Sequence, residues 1–238
     1  MVRAIRRFGV LPFFRNAVPG WSVEEMTAPG YWFFEEEDEL GPWDWKVDVV
    51  REGDIAYGKF LGGKAAFATV PWYRELMNWR RSLPRYRIAL GEEYKAATAG
   101  ERQMQRLSPV ALGAIREAGA LESRELRLRC GVKKNVMDTV TQFLQMGTWT
   151  VIGDIQRVYR GADLHYSGWQ RASHTTPDEL FGSDTPGSDA PFWARRFEDS
   201  AGQAPVPSCT PEESRRKLID HVLGFFADAD LKALQKII

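Results

Sequence analysis

"SPVALGAIREAGALESRELRLRCGVKKNVMDTVTQFLQMGTWTVIGDIQRVYR", residues 108–160, is the stretch whose reading decides the fold. Ser108-Pro109 opens a helix, because proline lacks only an N–H that a first turn leaves unpaired. Val110, Ala114, Ile115 and Ala118 follow at helical spacing, and Gly119 closes the stripe. Ser123 caps a second short helix, "RELRLRC", stopped by Gly131. A third helix runs from about Lys134 to Met146, burying Val136, Val140, Phe143 and Leu144, and Gly147 ends it. "TWTVIGDIQRVYR" then reads as two strands around Gly153-Asp154. Three compact helices and a β-hairpin within about 50 residues are the order of a winged helix-turn-helix, with the third helix as recognition helix and the hairpin as wing.

The flanks make the chain α+β. Upstream, Ser22 stands three residues before Glu25, a capping-box spacing. The acidic run 35–40 reads as a solvated loop. "IAYGKFLGGKAAFATV" (55–70) gives two strands joined at Gly62-Gly63, since paired glycines supply the positive φ of a tight turn. Pro71 opens a helix with Trp72, Leu76 and Trp79 on one face, and 84–107 reads as a polar, mostly helical connector. Downstream, "HYSGWQ" is a strand or loop, Thr176-Pro177 opens a short helix, and 182–209 has the composition of a long surface loop. Thr210 and Glu213 form a capping box before a helix docking through Leu218, Val222 and Phe225, and Asp230 caps a last helix. The expected parts are an N-terminal α+β part (1–104) with hairpin and helix, the winged-helix module (105–160), and a C-terminal segment of loop and helices (161–238).

Composition limits the function. The chain has 238 residues, 44% of them hydrophobic and 12% aromatic, ample for a packed core. Its 32 basic residues balance 32 acidic ones, so contact with nucleic acid must come from a local patch. Cys130 and Cys209, far apart, carry no disulfide or metal spacing and suit a reducing cytosol. The basic, apolar start "MVRAIRRFGVLPFF" contains Pro12, meets Arg15 at once and lacks a cleavage site, so it is not read as a signal peptide. No run is long enough to span a bilayer, and a cytoplasmic location is expected.

Local basic charge lies in the winged-helix stretch. Arg124, Arg127, Lys133 and Lys134 can neutralise phosphates, with Arg129 beside them. Asn135, Thr139 and Gln142, on the polar side of the third helix, can meet base edges. Asp138 on the same helix favours the alternative, a winged helix that packs only against protein.

"GPWDWK" (41–46) raises a second question, together with Tyr57 and Lys59. A carboxylate at Asp44 between Trp43 and Trp45 could titrate high and move a proton, with the indoles stacking on an extruded base and Lys46 completing the pocket. Alternation favours a strand instead, its two tryptophans facing a core and Asp44 and Lys46 outward. His165, His174 and His221 show no metal-ligand spacing, and no cofactor motif is present. Gln103-Met104-Gln105 lies in the polar connector, where surface glutamines are ordinary.

"GVLPFFRNAVPGWSVEEMT", "GPWDWK", "AYGKFLGGKAAFATVPWY", the winged-helix stretch and "YSGWQ…TTPDELFG" together resemble the AlkZ-related proteins, small bacterial relatives of the AlkZ/YcaQ winged-helix DNA glycosylases. The resemblance to the small family runs from about Phe8 to the C-terminus, and that to the glycosylases is clearest around 108–160. It implies metal-independent base excision as the ancestral chemistry and double-stranded DNA as partner, with no cofactor. The glycosylase motif, Gln-x-Gln or Gln-x-Asp near the N-terminus, is replaced here by Leu11-Pro12-Phe13, which offers no group to orient water. Gln103 and Gln105 lie in the wrong segment to substitute. The expectation is a DNA-associated relative of base-excision glycosylases without that motif, with Asp44 the remaining acid for catalysis. The alternatives are a non-enzymatic winged-helix module that binds protein, or a small-molecule enzyme using Asp44 or Tyr57.

Overall fold

The paired glycines make the turn that the sequence asks of them. Gly62 and Gly63 take φ of 55° and 73° and join strand β2 (Ile55–Leu61) to strand β3 (Lys64–Thr69). A short strand β1 (Val10–Pro12) pairs with the other side of β3, so the first sheet has the order β1-β3-β2, all antiparallel. Pro12 is tolerated because β1 is an edge strand and needs no further donor. Leu11 and Phe13 are fully buried, with the Phe13 ring against Phe67, Tyr57 and Trp43. The computed structural model describes residues 1–28, 41–162, 164–182 and 209–238. The acidic run and nearly all of the expected long loop lie outside the described residues.

Helices enclose this sheet. Helix α1 (Val2–Phe8) leads into β1, and helix α2 (Val23–Met26) starts where Ser22 accepts the Glu25 N–H, as the capping-box spacing predicts. Helix α3 (Pro42–Glu52) occupies the stretch that alternation assigns to a strand. Gly41 and Pro42 start it, and Val47 and Val50 bury one side at helical spacing. Lys46 is therefore inside, at 4% exposure, while Trp45 is outside at 38%, the reverse of the strand reading. Helix α4 (Val70–Ser82) follows β3, and a short helix α5 (Pro84–Arg87) and a 3-10 turn (Ile88–Leu90) follow α4.

Helix α6 (Ala99–Ala118) starts well upstream of Ser108-Pro109. Thr98 and Glu101 form a full capping box, and this signal outweighs the proline. Pro109 sits inside the helix, where it cannot donate to the preceding turn, and the Ser108 hydroxyl donates to the Met104 carbonyl. A strand β4 (Ala120–Glu122) precedes helix α7 (Ser123–Arg129), whose cap is the Glu122 carboxylate rather than Ser123. Helix α8 (Lys134–Met146) has the expected bounds, but its most buried face is Met137, Val140, Thr141, Leu144 and Gln145.

The following hairpin turns later than expected. Strand β5 (Val151–Arg160) runs unbroken through Gly153-Asp154, which forms a bulge, and the chain turns at 161–164 into β6 (His165–Thr175). Gly153 is needed for closeness rather than for a turn, since a Cβ there would meet the Thr175 methyl. The second sheet is β4-β6-β5. Helix α9 (Pro177–Phe181), helix α10 (Pro211–Phe225) and helix α11 (Leu231–Ile237) follow, capped by Thr176, Thr210 and Asp230 as expected. On α10, Leu218 and Val222 are buried against the body, whereas Phe225 stays partly exposed.

The fold is thus α+β, and its buried apolar residues form two clusters. One surrounds the first sheet and takes in Val151, Ile152 and Ile155 of β5. The other lies among α6, α7 and α8 and ends at Trp149, whose indole N–H donates to the Tyr86 carbonyl. The seam between them runs along β5 and α8.

Gly9 joins α1, α4 and α10. Its φ is +67°, and a Cβ there would overlap the Trp72 indole, which stacks on His221 with centroids 3.8 Å apart. His221 in turn donates Nε2–H to the Phe8 carbonyl. Gly9→Ala is expected to cost about 2–4 kcal/mol, from left-handed strain plus overpacking, and urea denaturation measures it.

Candidate functional site

Helical spacing on α3 brings Trp43 and Lys46 together. The Lys46 amine lies 3.1 Å from the centre of the Trp43 indole and donates to the Trp43 carbonyl at 2.8 Å. The Phe13 ring is 5.9 Å away on another side. Burial penalises the ammonium and takes its pKa down to about 7, while the charge of Asp44 opposes that fall.

Both residues face a cavity of about 240 Å³ at the seam of the two clusters. Tyr57 and Lys59 of β2 form a second wall, and Ile152 and Ile155 of β5 add apolar surface. Asp138, Thr141 and Gln145 of α8 close a third side, with Gln170 and His174 of β6 opposite. Four of the five expected pocket residues, Trp43, Lys46, Tyr57 and Lys59, therefore line one cavity; Trp45 does not. Burial holds the Tyr57 phenol well above its ordinary pKa, so it stays protonated.

Asp44 stands behind this wall and is not among the cavity-lining residues. Its Oδ1 accepts the Tyr166 hydroxyl at 2.6 Å and the Gln170 amide at 3.1 Å. The same amide nitrogen lies 3.3 Å from the Trp43 carbonyl. A carboxylate and a carbonyl can only accept here, so the Gln170 atom facing them must be nitrogen. That leaves Gln170 Oε1, which is buried without a hydrogen-bond partner. Asp44 thus holds Gln170 in place.

A second chain of hydrogen bonds sets the state of His174. The Lys59 backbone N–H donates to Gln145 Oε1, so Gln145 Nε2 must donate to His174 Nδ1, 3.3 Å away. His174 Nε2 therefore carries the proton and donates to Ser123 Oγ at 3.0 Å, and Ser123 passes its own proton to the Ala172 carbonyl. This direction excludes Ser123 as a nucleophile activated by His174, because the imidazole gives a proton to the hydroxyl instead of taking one. Burial lowers the His174 pKa to about 4, reinforced by Lys59 and opposed by Asp138, so the ring is neutral at pH 7.

The expected nucleic-acid residues divide into two groups. Arg124, Lys133, Lys134, Asn135 and Thr139 are exposed, and Arg127 is half-buried. Lys134 pairs with Asp138 at 2.6 Å, and the Thr139 hydroxyl donates to the Asn135 carbonyl. Gln142 is turned inward, where its amide donates to the Gly63 carbonyl at 2.8 Å. Arg129 pairs with Glu125 on its own helix.

Gln145, Gln170, His174 and Ser123 carry the site's polar geometry and had no local spacing to reveal them. The one available signal was the block "YSGWQ", which holds Tyr166 and Gln170. Among the described residues no cluster of three or more His, Cys, Asp or Glu could hold a metal ion, and no helix is long and apolar enough to cross a membrane.

Fold and site define an α+β protein with a partly enclosed, aromatic-walled cavity where its two apolar clusters meet. The chain belongs to the AlkZ-related family, whose model matches residues 1–238. No curated protein and no solved structure matches it. Membership relates the chain to DNA glycosylase-like proteins.

The neutral His174 makes the protein acid-sensitive in a defined window. The unfolded chain takes up this proton near the ordinary imidazole pKa and the folded chain only near 4, so stability is lost as pH falls from about 6.5 to about 4. His174→Gln keeps a donor and an acceptor but does not titrate. Across this window wild type should lose on the order of 3 kcal/mol more than the variant, measured by urea denaturation at each pH.

Proposed function

We propose that this protein is a DNA-associated relative of the base-excision glycosylases, in which a winged helix built from α6, α7, α8 and the β5–β6 hairpin approaches duplex DNA. The cavity takes a nucleobase turned out of the stack. One observation carries this reading: the cavity combines an indole wall, Trp43, with the polar side chains of Gln170 and His174 among its lining residues. A base offers a flat face to Trp43 and polar edges to the hydrogen-bonding side chains around it, and extruded bases are read by such stacking and edge bonding. The volume of about 240 Å³ lies below the range for drug-sized ligands and suits a single planar ring system.

The cavity also opens beside the expected recognition helix. Asp138 lines it and pairs with Lys134, so the exposed residues Lys133, Lys134, Asn135 and Thr139 lie near its rim. Glycosylase chemistry of the Gln-x-Gln kind has no counterpart, since Leu11-Pro12-Phe13 is part of the apolar core. Asp44 supports binding by fixing Gln170. A second reading, a module whose winged helix packs only on protein, is favoured by one fact: Gln142 and Gln145 are already spent on the β2–β3 hairpin.

Gel shifts on unmodified and alkylated duplexes, with a base-release assay alongside, separate these readings. Lys133→Glu/Lys134→Glu is expected to weaken duplex binding roughly tenfold or more and to reduce the salt dependence by about two charges. Trp43→Ala should leave affinity for unmodified duplex unchanged and remove any preference for the alkylated one. Unchanged binding in the double variant would remove α8 from the DNA interface and favour the protein-binding module.

A further inference from the structure

Lys46 is a cavity group whose chemistry the base-binding reading leaves unused. It is buried, yet it is built into the wall of a cavity rather than into an ion pair. Its nearest partners, an indole face and a carbonyl oxygen, attract an ammonium only as neutral groups. Asp44, whose charge also favours the ammonium, is bonded to Tyr166 and Gln170, so burial prevails over them. A carbonyl occupies one N–H and leaves the nitrogen lone pair free. Amines desolvated in this way are the ones that attack carbonyl carbon.

We propose that Lys46 forms an imine with an aldehyde presented in the cavity, the aldehyde being the C1 carbonyl of a ring-opened abasic deoxyribose in DNA. The assignment rests on the cavity receiving a nucleotide turned out of the duplex. A site that has lost its base is the easiest to extrude, and it leaves the space beside Trp43 open to the sugar. The Lys46 nitrogen bonds to the aldehyde carbon, and the carbonyl electron pair moves to oxygen, giving a carbinolamine after proton transfer. The C–O bond then breaks and the oxygen leaves as water, carrying the two hydrogens that the amine has lost. No electrons are gained or lost overall. The Lys46 pKa of about 7 supplies a large fraction of neutral amine under these conditions.

The test incubates the full chain with a duplex carrying one abasic site and sodium cyanoborohydride, which reduces an imine to a stable secondary amine. Denaturing gels and peptide mass mapping read the product. The expected result is a cross-link on the peptide containing Lys46, reduced roughly tenfold or more in Lys46→Arg and in Lys46→Met. Both variants should unfold in a single cooperative urea transition, which shows that they are folded. A cross-link of undiminished yield in both variants, or one mapped to Lys59 or the N-terminal amine, overturns the assignment. So does wild type that binds abasic duplex in gel shifts yet forms no cross-link. If no duplex is bound at all, the DNA reading itself has failed. Glycolaldehyde with the same reductant then decides on the amine: selective alkylation of Lys46 at pH 7 upholds it as the reactive group, and its absence overturns it.

Discussion

The buried amide of Gln145 sets the spacing on which the site depends. It accepts from the β2 backbone at Lys59 and donates to His174 on β6, so one side chain of α8 ties the two sheets together. Gly58 makes this approach feasible, since a Cβ there would stand 3.0 Å from Gln145 Oε1. A buried amide is costly when half-satisfied, so the elements around it are held in a single arrangement. The cavity is the space left between α3, β2, α8 and β6 once that arrangement is fixed.

The same bond shows why α8 differs from a helix presented wholly to solvent. Its first turns are exposed at Lys133, Lys134 and Asn135, while its later turns are committed to the chain's own hairpin through Gln142 and Gln145. If α8 is the recognition helix proposed above, its free residues lie in the N-terminal half, where docked recognition helices place their base-reading residues. Protein packing and an exposed basic turn therefore coexist on one helix, divided along its length.

How much could be read in advance depended on range. Local signals worked: the glycine pair at 62–63, the N-cap at Ser22, the capping box at Thr210, and the apolar stripe that bounds α8. The errors arose where two local signals competed. In "GPWDWKVDVV" the first residues alternate in polarity as a strand would, but Gly41-Pro42 and the Val47/Val50 spacing specify a helix. Alternation then placed Lys46 outside and Trp45 inside, and the structure reverses both. Gly153-Asp154 is a strong two-residue turn signal, yet β6 needs a close neighbour there, and the positive φ belongs to Gly161. Gln145, Gln170 and His174 meet partners far along the chain, and no periodicity encodes such pairs. The pocket set nevertheless came out largely intact, because Trp43, Lys46, Tyr57 and Lys59 were grouped by chemistry and not by strand geometry.

Charge is distributed in a way that follows from burial. A chain with no net charge draws no general field around itself, so exposed lysines beside the rim act locally. Of the three basic groups that line the cavity among the described residues, His174 and Lys46 are pushed towards their neutral forms, to about 4 and about 7, while Lys59 is exposed. A phosphate drawn in past the exposed Lys59 would find little fixed positive charge to replace its hydration, and desolvating it there would be costly. A neutral, planar group meets no such penalty and gains the indole face. On the proposed reading, burial would sort the two halves of a nucleotide, leaving the phosphate to exposed lysines and admitting the uncharged part alone.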